Sequence, residues 1–238
     1  MTNAGPLAGR IALVTGASRG IGAATAQALA AAGAHVVLTA RTVRDLEAVE
    51  DAIHEAGGTA TIAPMDLTES DSIARLATAV AERWQRLDIL IINAAMLPPL
   101  TPVAQIEPKS FNQALTLNVL ATQALIAAFD PLLKRSDAGR IIGLTSSVGA
   151  EPRAYWGAYG ASKAAFEALL ICHGQEIGRI SDTRVAIVDP GATRTQMRAR
   201  AYPGEDPLSV KSPGTVAKRI VEMLAEDCPN LHRERVGA

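Results

Sequence analysis

The sequence predicts an α/β fold: a single doubly wound domain in which helices cover both faces of a parallel sheet of six or seven strands. Three observations carry this prediction. Short apolar runs rich in β-branched residues alternate with alanine-rich segments of helical length, as successive βαβ units require. A glycine-rich stretch, TGASRGIG at 15–22, stands at the first passage from strand to helix. The 238 residues, 48% hydrophobic and 20% charged, fit one such domain over 1–238, and neither an internal repeat nor a low-complexity linker divides them.

The elements follow in order. RIALVT at 10–15 is the first strand, and the alanine-rich segment 21–32 is a helix closed by Gly33. HVVLT at 35–39 leads to a helix over 42–56 closed by Gly57, and TATIA at 59–63 to a helix over 69–84. Thr68, with Asp71 three residues on, is the expected cap of that third helix. Strands at 87–93 (LDILIIN), 139–145 (GRIIGLT) and 183–189 (TRVAIVD) alternate with helices near 108–134, 159–179 and 214–225. Ser212 and Pro213 supply a cap and a first-turn proline for the last of these. The longest irregular stretch, 190–213, holds Pro190, Pro203, Gly204 and Pro207; a loop of that length in a compact domain is usually a lid or binding segment.

Composition narrows the function. A net charge of −1 gives no electrostatic reason to expect nucleic acid or an anionic membrane as partner, and 3% aromatic residues leave little for base stacking. Cys172, Cys228 and the four histidines have neither disulfide-framework nor metal-ligand spacing, so no metal is expected and a reducing cytoplasm fits. No basic, apolar leader is read at the N-terminus, and no uninterrupted apolar run approaches the roughly 20 residues needed to span a bilayer.

The glycine loop is the first chemical signal. Gly16 permits a tight turn, Gly20 lets backbone approach a ligand, and Gly22 lets the following helix pack closely, so the helix N-terminus faces a pyrophosphate; this marks the domain as Rossmann-type. Strand two ends at Leu38-Thr39-Ala40-Arg41 without the acid that takes the ribose hydroxyl of NAD, and Arg19 adds a second cation within the loop. Two guanidinium groups suit a 2′-phosphate, which predicts NADP(H) in preference to NAD(H). The second signal is AYWGAYGASK at 154–163, which sets Tyr159 one helical turn before Lys163 among very small side chains.

Together these residues resemble the classical short-chain dehydrogenase/reductase family over about 8–225. Its glycine motif is matched by Thr15, Gly16, Gly20, Ile21 and Gly22, with Ser18 and Arg19 inside the loop. Its adenine contact resembles Asp66 with Leu67, and its strand-four motif Asn93-Ala94-Ala95. The helix asparagine is matched by Asn118, the strand-five serine by Ser146, the Tyr-xxx-Lys pair by Tyr159 and Lys163, and the PGxxxT segment by Pro190, Gly191, Thr193 and Thr195. The resemblance selects Tyr159 over Tyr155, since Tyr159 lies thirteen residues past Ser146. Tyr155 and Trp156 are then expected as pocket wall or packing.

What the resemblance implies is hydride transfer between NADP(H) and a small-molecule carbonyl or alcohol. Tyr159 is the expected general acid/base, and the Lys163 ammonium is expected to lower its pKa and hold the nicotinamide ribose. Ser146 is expected to hydrogen-bond the substrate oxygen and Asn118 to hold a water. The loop 190–213 is expected to cover the substrate, with Arg194, Arg198 and Arg200 either attracting an acid or simply solvated. The alternative is an NADP-binding regulatory or scaffold protein of the same fold; the extended epimerase branch needs a longer chain.

Three departures stand out: Ile92 and Ala95 replace residues usual in the strand-four motif, Gln196 follows the PGxxxT threonine where aspartate is usual, and the end at 226–238 is charged where the family has an apolar seventh strand. A short strand at 231–236 is compatible with that tail. The resemblance implies a homo-oligomer, a homodimer through the helices near 108–134 and 159–179 or a homotetramer.

Overall fold

A computed structural model describes residues 5–69, 71–226 and 228–237. Seven parallel strands form one sheet in the order β3-β2-β1-β4-β5-β6-β7. They are β1 (Ile11–Thr15), β2 (His35–Thr39), β3 (Thr59–Ile62), β4 (Ile89–Ile92), β5 (Arg140–Leu144), β6 (Arg184–Asp189) and β7 (His232–Arg235). The helices include α1 (Gly20–Ala31), α2 (Val43–Glu55), α3 (Ser72–Trp84), α4 (Pro108–Leu115), α5 (Ala121–Leu133), α6 (Ser147–Ala150), α7 (Gly157–Ile177), α8 (Gln196–Ala201) and α9 (Pro213–Ala225).

The apolar runs become strands because both faces of the sheet are covered. On one face Ala12, Val14, Val36, Leu38, Ile91, Ile142 and Val188 pack with Leu29, Leu46 and Ile220 of α1, α2 and α9. On the other, Leu13, Val37, Leu90, Ile141, Val185 and Ile187 pack with Val80, Phe129 and Phe166 of α3, α5 and α7. Alternate residues of each strand therefore feed opposite cores, which is why the sequence shows continuous apolar runs rather than alternation. Strand order reverses between β1 and β4, and the crevice beyond their carboxyl ends is where doubly wound folds take ligands.

The predicted helix at 108–134 is a continuous one over 108–133, with a π-helical turn at Thr116–Leu120 between α4 and α5. It is 26 residues long, and an 18-residue stretch of it reaches a mean hydropathy of 1.3, enough by length and composition to cross a membrane. Here Leu125, Phe129 and Leu132 are buried against the sheet while Leu120 is exposed, the arrangement of a core helix.

Three expectations need correction. Thr68 does not cap α3: its backbone N–H and hydroxyl both donate to Asp66 Oδ1, at 2.9 and 2.7 Å, and the helix starts only at Ser72. Residue 70, which the expected helix included, lies outside the described residues. Ser212 occupies the N-cap position of α9, yet its hydroxyl lies 3.4 Å from that of Thr215 rather than bonding the helix backbone. Helix α7 begins at Gly157, two residues before the expected start near 159.

The tail bears out the short strand that the sequence allowed at 231–236. The described part of 226–238, which leaves out residues 227 and 238, contains a true seventh strand in parallel register with β6. Its residues are His, Arg, Glu and Arg, and each charge meets a partner. Arg219 of α9 grips Glu234 with Nε and Nη2 at 2.7 and 2.9 Å, Arg235 lies 3.5 Å from Asp189, and Arg233 pairs with Glu167 of α7. A charged edge strand of this kind also discourages further strand pairing.

Candidate active site

Ala17 N donates to Thr39 O and Met65 N to Ala40 O, which draws the tips of β1, β2 and β3 together. The glycine loop is shaped by contacts that exclude side chains. A Cβ on Gly22 would stand 2.1 Å from Gly16 O, and one on Gly16 would stand 2.9 Å from Asn93 Nδ2, while Gly16 and Gly20 have φ of +65° and +57°. The N-terminus of α1 carries no acid in its first turn, so its free N–H groups present an electropositive end that fits a pyrophosphate.

Asn93 spends its amide on the loop, donating to Thr15 O at 2.9 Å and Gly16 O at 3.2 Å, while Thr15 Oγ1 accepts from Asn93 N and Ala94 N. This residue braces the cradle from behind. Ile21 packs on one core and Leu67 is buried in the other. Arg19 and Arg41 are exposed beside the loop, as Ser18 is in part, and Arg41 Nη1 lies 4.0 Å from Asp66. Burial alone would raise the Asp66 carboxyl, but the two Thr68 hydrogen bonds and Arg41 outweigh it and hold it below the ordinary carboxylate range. Ala95, the departure in the strand-four motif, is half-buried.

On the far side, Gly191 N donates to Asp189 Oδ1, and Thr193 Oγ1 donates to Pro190 O at 3.0 Å. Thr195 caps α8 by accepting from Arg198 N, and its methyl lies 3.4 Å from where a Gly20 Cβ would stand. The PGxxxT segment and the glycine loop thus face each other across one crevice.

Helix α7 supplies the reactive pair. Tyr159 and Lys163, one turn apart, are 6% and 3% exposed at the carboxyl ends of β5 and β6. Lys163 Nζ donates to Leu144 O at 2.7 Å, lies 4.4 Å from the centre of the Phe166 ring, and is 5.9 Å from the centre of the Tyr159 ring. Burial lowers the Lys163 ammonium to about 8, opposed by Glu167 one turn further on.

The expected lowering of the Tyr159 pKa is absent in this arrangement. Burial, aided by Asp189, pushes the phenol well above its ordinary value, so the hydroxyl is held protonated. Its Oη points at Met197 Sδ, 3.9 Å away. Ser146 sits half-buried in extended backbone just past β5, opening α6. Asn118, 1% exposed in the π-helical turn, ties loop to helix. It accepts from Met96 N, donates to Met96 O, and donates at 2.9 Å to Ser162 Oγ, whose own proton goes to Tyr159 O. Single π turns inside helices often mark functional sites.

The segment 190–213 is built, not irregular: it contains α8 and a 3-10 turn at Pro207–Ser209. Trp156 lies between Tyr159 and Tyr202, with ring centres 6.0 and 5.9 Å away, whereas Tyr155 is exposed. Arg198 stacks on Tyr202 at 3.6 Å and forks onto Glu205 at 2.7 and 2.5 Å, so it is already engaged, while Arg194 and Arg200 are solvated. Sequence reasoning missed Ser162, Met197 and the buried Thr145 and Glu167; only Ser162, inside the stretch AYWGAYGASK, and Glu167, four residues past Lys163, had a spacing that could have signalled them.

Residues 10–206 match the family model described as short chain dehydrogenase. The chain belongs to that family and is an oxidoreductase by membership. It is 38% identical to the oxidoreductase YciK of Escherichia coli K12 over 221 residues, 92% of this chain and 87% of that protein. A short chain dehydrogenase structure from Pseudomonas syringae superposes with a TM-score of 0.94 at 40% identity, covering 100% of this chain and 98% of that one. Another, from Escherichia coli CFT073 and complexed with NADPH, gives 0.93 at 36% identity, with 98% of each chain covered.

Proposed function

We propose that this short-chain dehydrogenase uses NADP(H) to interconvert a carbonyl and a secondary alcohol on a small molecule, with Tyr159 carrying the proton. The observation that carries the reading is the pairing of Tyr159 and Lys163, both buried on one face of α7 at the mouth of the glycine-lined crevice. The NADPH complex of a 36% identical neighbour supports the cofactor.

Gly16, Ser18, Gly20 and the α1 N-terminus would hold the pyrophosphate, with Arg19 and Arg41 on the 2′-phosphate and Asp66 beside the adenine. Pro190, Gly191, Thr193 and Thr195 would close the other wall. Bound there, the nicotinamide supplies or accepts the hydride. Tyr159, protonated in the resting arrangement, donates its proton to the substrate oxygen during reduction and recovers it in the reverse direction. Ser146 donates a hydrogen bond to that oxygen as charge develops on it. Lys163 holds the ribose hydroxyls, and Asn118 keeps the loop after β4 in register with α7. Met197 must withdraw from Tyr159 Oη for a substrate to reach it, which makes α8 the moving cover.

The test is Tyr159→Phe. Turnover should fall by at least about a thousandfold while NADPH affinity stays unchanged, read by fluorescence titration and by NADPH oxidation against a panel of ketones and aldehydes. Unaltered turnover refutes the assignment, and equal affinity for NADH refutes the NADP(H) preference. The exposed apolar residues Leu120 and Ile171 favour a homodimer through the α4–α5 and α7 helices, and the two unpaired cysteines suit a cytoplasmic setting.

A further inference from the structure

Tyr159, Lys163 and Glu167 follow at intervals of four residues and form one ridge along α7. Glu167 is only 6% exposed, yet it is fully engaged. Thr145 Oγ1 donates to its Oε1 at 2.6 Å, and Arg233 of β7 spans both oxygens, with Nη2 to Oε1 at 3.1 Å and Nη1 to Oε2. Thr145 precedes Ser146 and donates its own N–H to Val188 O. One carboxylate therefore joins the end of β5, the reactive helix and the charged C-terminal strand.

We propose that Glu167, clamped by Arg233, is a positioning residue that sets the electrostatic environment of Lys163 and fixes the Thr145–Ser146 end of β5. The inference rests on the catalytic reading of Lys163 given above. Lys163 is buried with a backbone carbonyl and an aromatic face as its near partners, and Glu167, one turn further along α7, acts on it as a compensating charge. Arg233 fixes how much of that negative charge Lys163 feels. It also gives the charged tail a purpose: an apolar seventh strand could not supply the clamp.

The other charged groups around this ridge are few among the described residues. Asp189 at the end of β6 acts on Tyr159 and is met by Arg235 of β7, with Lys211 nearby. Arg153 is held by Ser147 of α6. Asp130 of α5 and Lys134 just past its end face His173, further down α7, and Asn118 of the π-helical turn and Ser162 of α7 are neutral.

The experiment follows the titration of Lys163 itself, by NMR of the full chain labelled at lysine Cε and Nζ, with Lys163→Met to identify the signal. The midpoint should lie near pH 8 in the unaltered protein. Glu167→Gln should lower it by about one unit, and Arg233→Gln should raise it by about half a unit, because the first removes the compensating charge and the second removes that charge's competitor. Shifts of opposite sign are what a merely structural role would not produce. Shifts of the same sign, or none, overturn the proposal. Should Glu167→Gln not fold, Arg233→Gln on the exposed strand decides alone, and the absence of an upward shift overturns it. The titration needs no substrate, so a failure of the catalytic reading would show in Tyr159→Phe turnover and leave this result standing.

Discussion

Gly22→Ala is the sharpest perturbation the structure offers, because the added methyl meets backbone rather than a yielding side chain. Its Cβ would stand 2.1 Å from Gly16 O and 2.6 Å from Asn93 Nδ2, about 1.3 and 0.8 Å inside the 3.4 Å at which ordinary contact begins. Neither neighbour can give way, since Gly16 sits at a φ of +65° and Asn93 is bonded to both Thr15 O and Gly16 O. Helix α1 must retreat by about 1 Å instead. Overpacking of this kind costs about 1–3 kcal/mol, a fall of roughly 5 °C in Tm for a chain of this size. The retreat also pulls the helix N-terminus from the pyrophosphate. Weakening one charge-assisted hydrogen bond by about 2 kcal/mol lowers NADPH affinity about 30-fold. Fluorescence titration reads the affinity and calorimetry the Tm. Gly57→Ala is the control: no atom lies within 4 Å of its Cβ, but φ is +81°, so it should cost about 1 kcal/mol without touching Kd. NADPH binding by Gly22→Ala equal to that of the unaltered chain refutes the cradle.

Two further outcomes concern stability and pH. Asp88 is buried; burial would raise its carboxyl, but hydrogen bonds from Ser136, Ile11 N and Arg86 prevail and hold it below the ordinary range. A depressed carboxylate contributes stability above its unfolded pKa and loses it as pH falls through the folded one, so Asp88→Asn should cost about 2 kcal/mol at pH 7 and progressively less below about pH 4, by urea melts. Glu234 is held down to about 2 by Arg219, with burial opposing and His232 assisting, so its contribution fades as pH falls from about 4 towards 2. Arg219→Met should return its titration to the ordinary range near 4.3, read by NMR; a midpoint unmoved would deny the ion pair any weight.

The six apolar strands were legible because buried parallel strands must be apolar on both faces, and Val36-Val-Leu38 or Ile89-Leu-Ile-Ile92 leave no other reading. β7 resisted the same logic. His232 to Arg235 carry no apolar run, and what holds them, Glu167, Asp189 and Arg219, lies 15 to 66 residues away in sequence. The Tyr159–Lys163 pair was legible from helical spacing; the Met197 contact and the Arg198–Glu205–Tyr202 cluster were not, because loop conformation sets them. Thr68 misled for a local reason: Asp66, two residues back, offered its hydroxyl and N–H a better acceptor than the helix did.

The small residues around the reactive pair now have a cause. A Cβ on Gly143 of β5 would stand 2.2 Å from Leu170 Cδ1 and 2.9 Å from Phe166 Cζ, so a bare backbone there lets α7 settle onto the sheet. One residue later in β5, Leu144 O is the acceptor for Lys163 Nζ at 2.7 Å. Gly160 does the same on the other side, where a Cβ would stand 2.9 Å from Val148 O of α6. Close approach is what buries Tyr159 and Lys163, and burial is what lowers the Lys163 ammonium and raises the Tyr159 phenol. The glycines therefore act on the chemistry through distance. Gly143→Ala should lift α7 away from β5, lengthen the Lys163–Leu144 bond and move the Lys163 midpoint back towards the ordinary lysine value of about 10.4, even though the substituted atom touches neither reactive group. A midpoint that stays near 8 in a folded Gly143→Ala chain would show that helix–sheet separation does not govern the site.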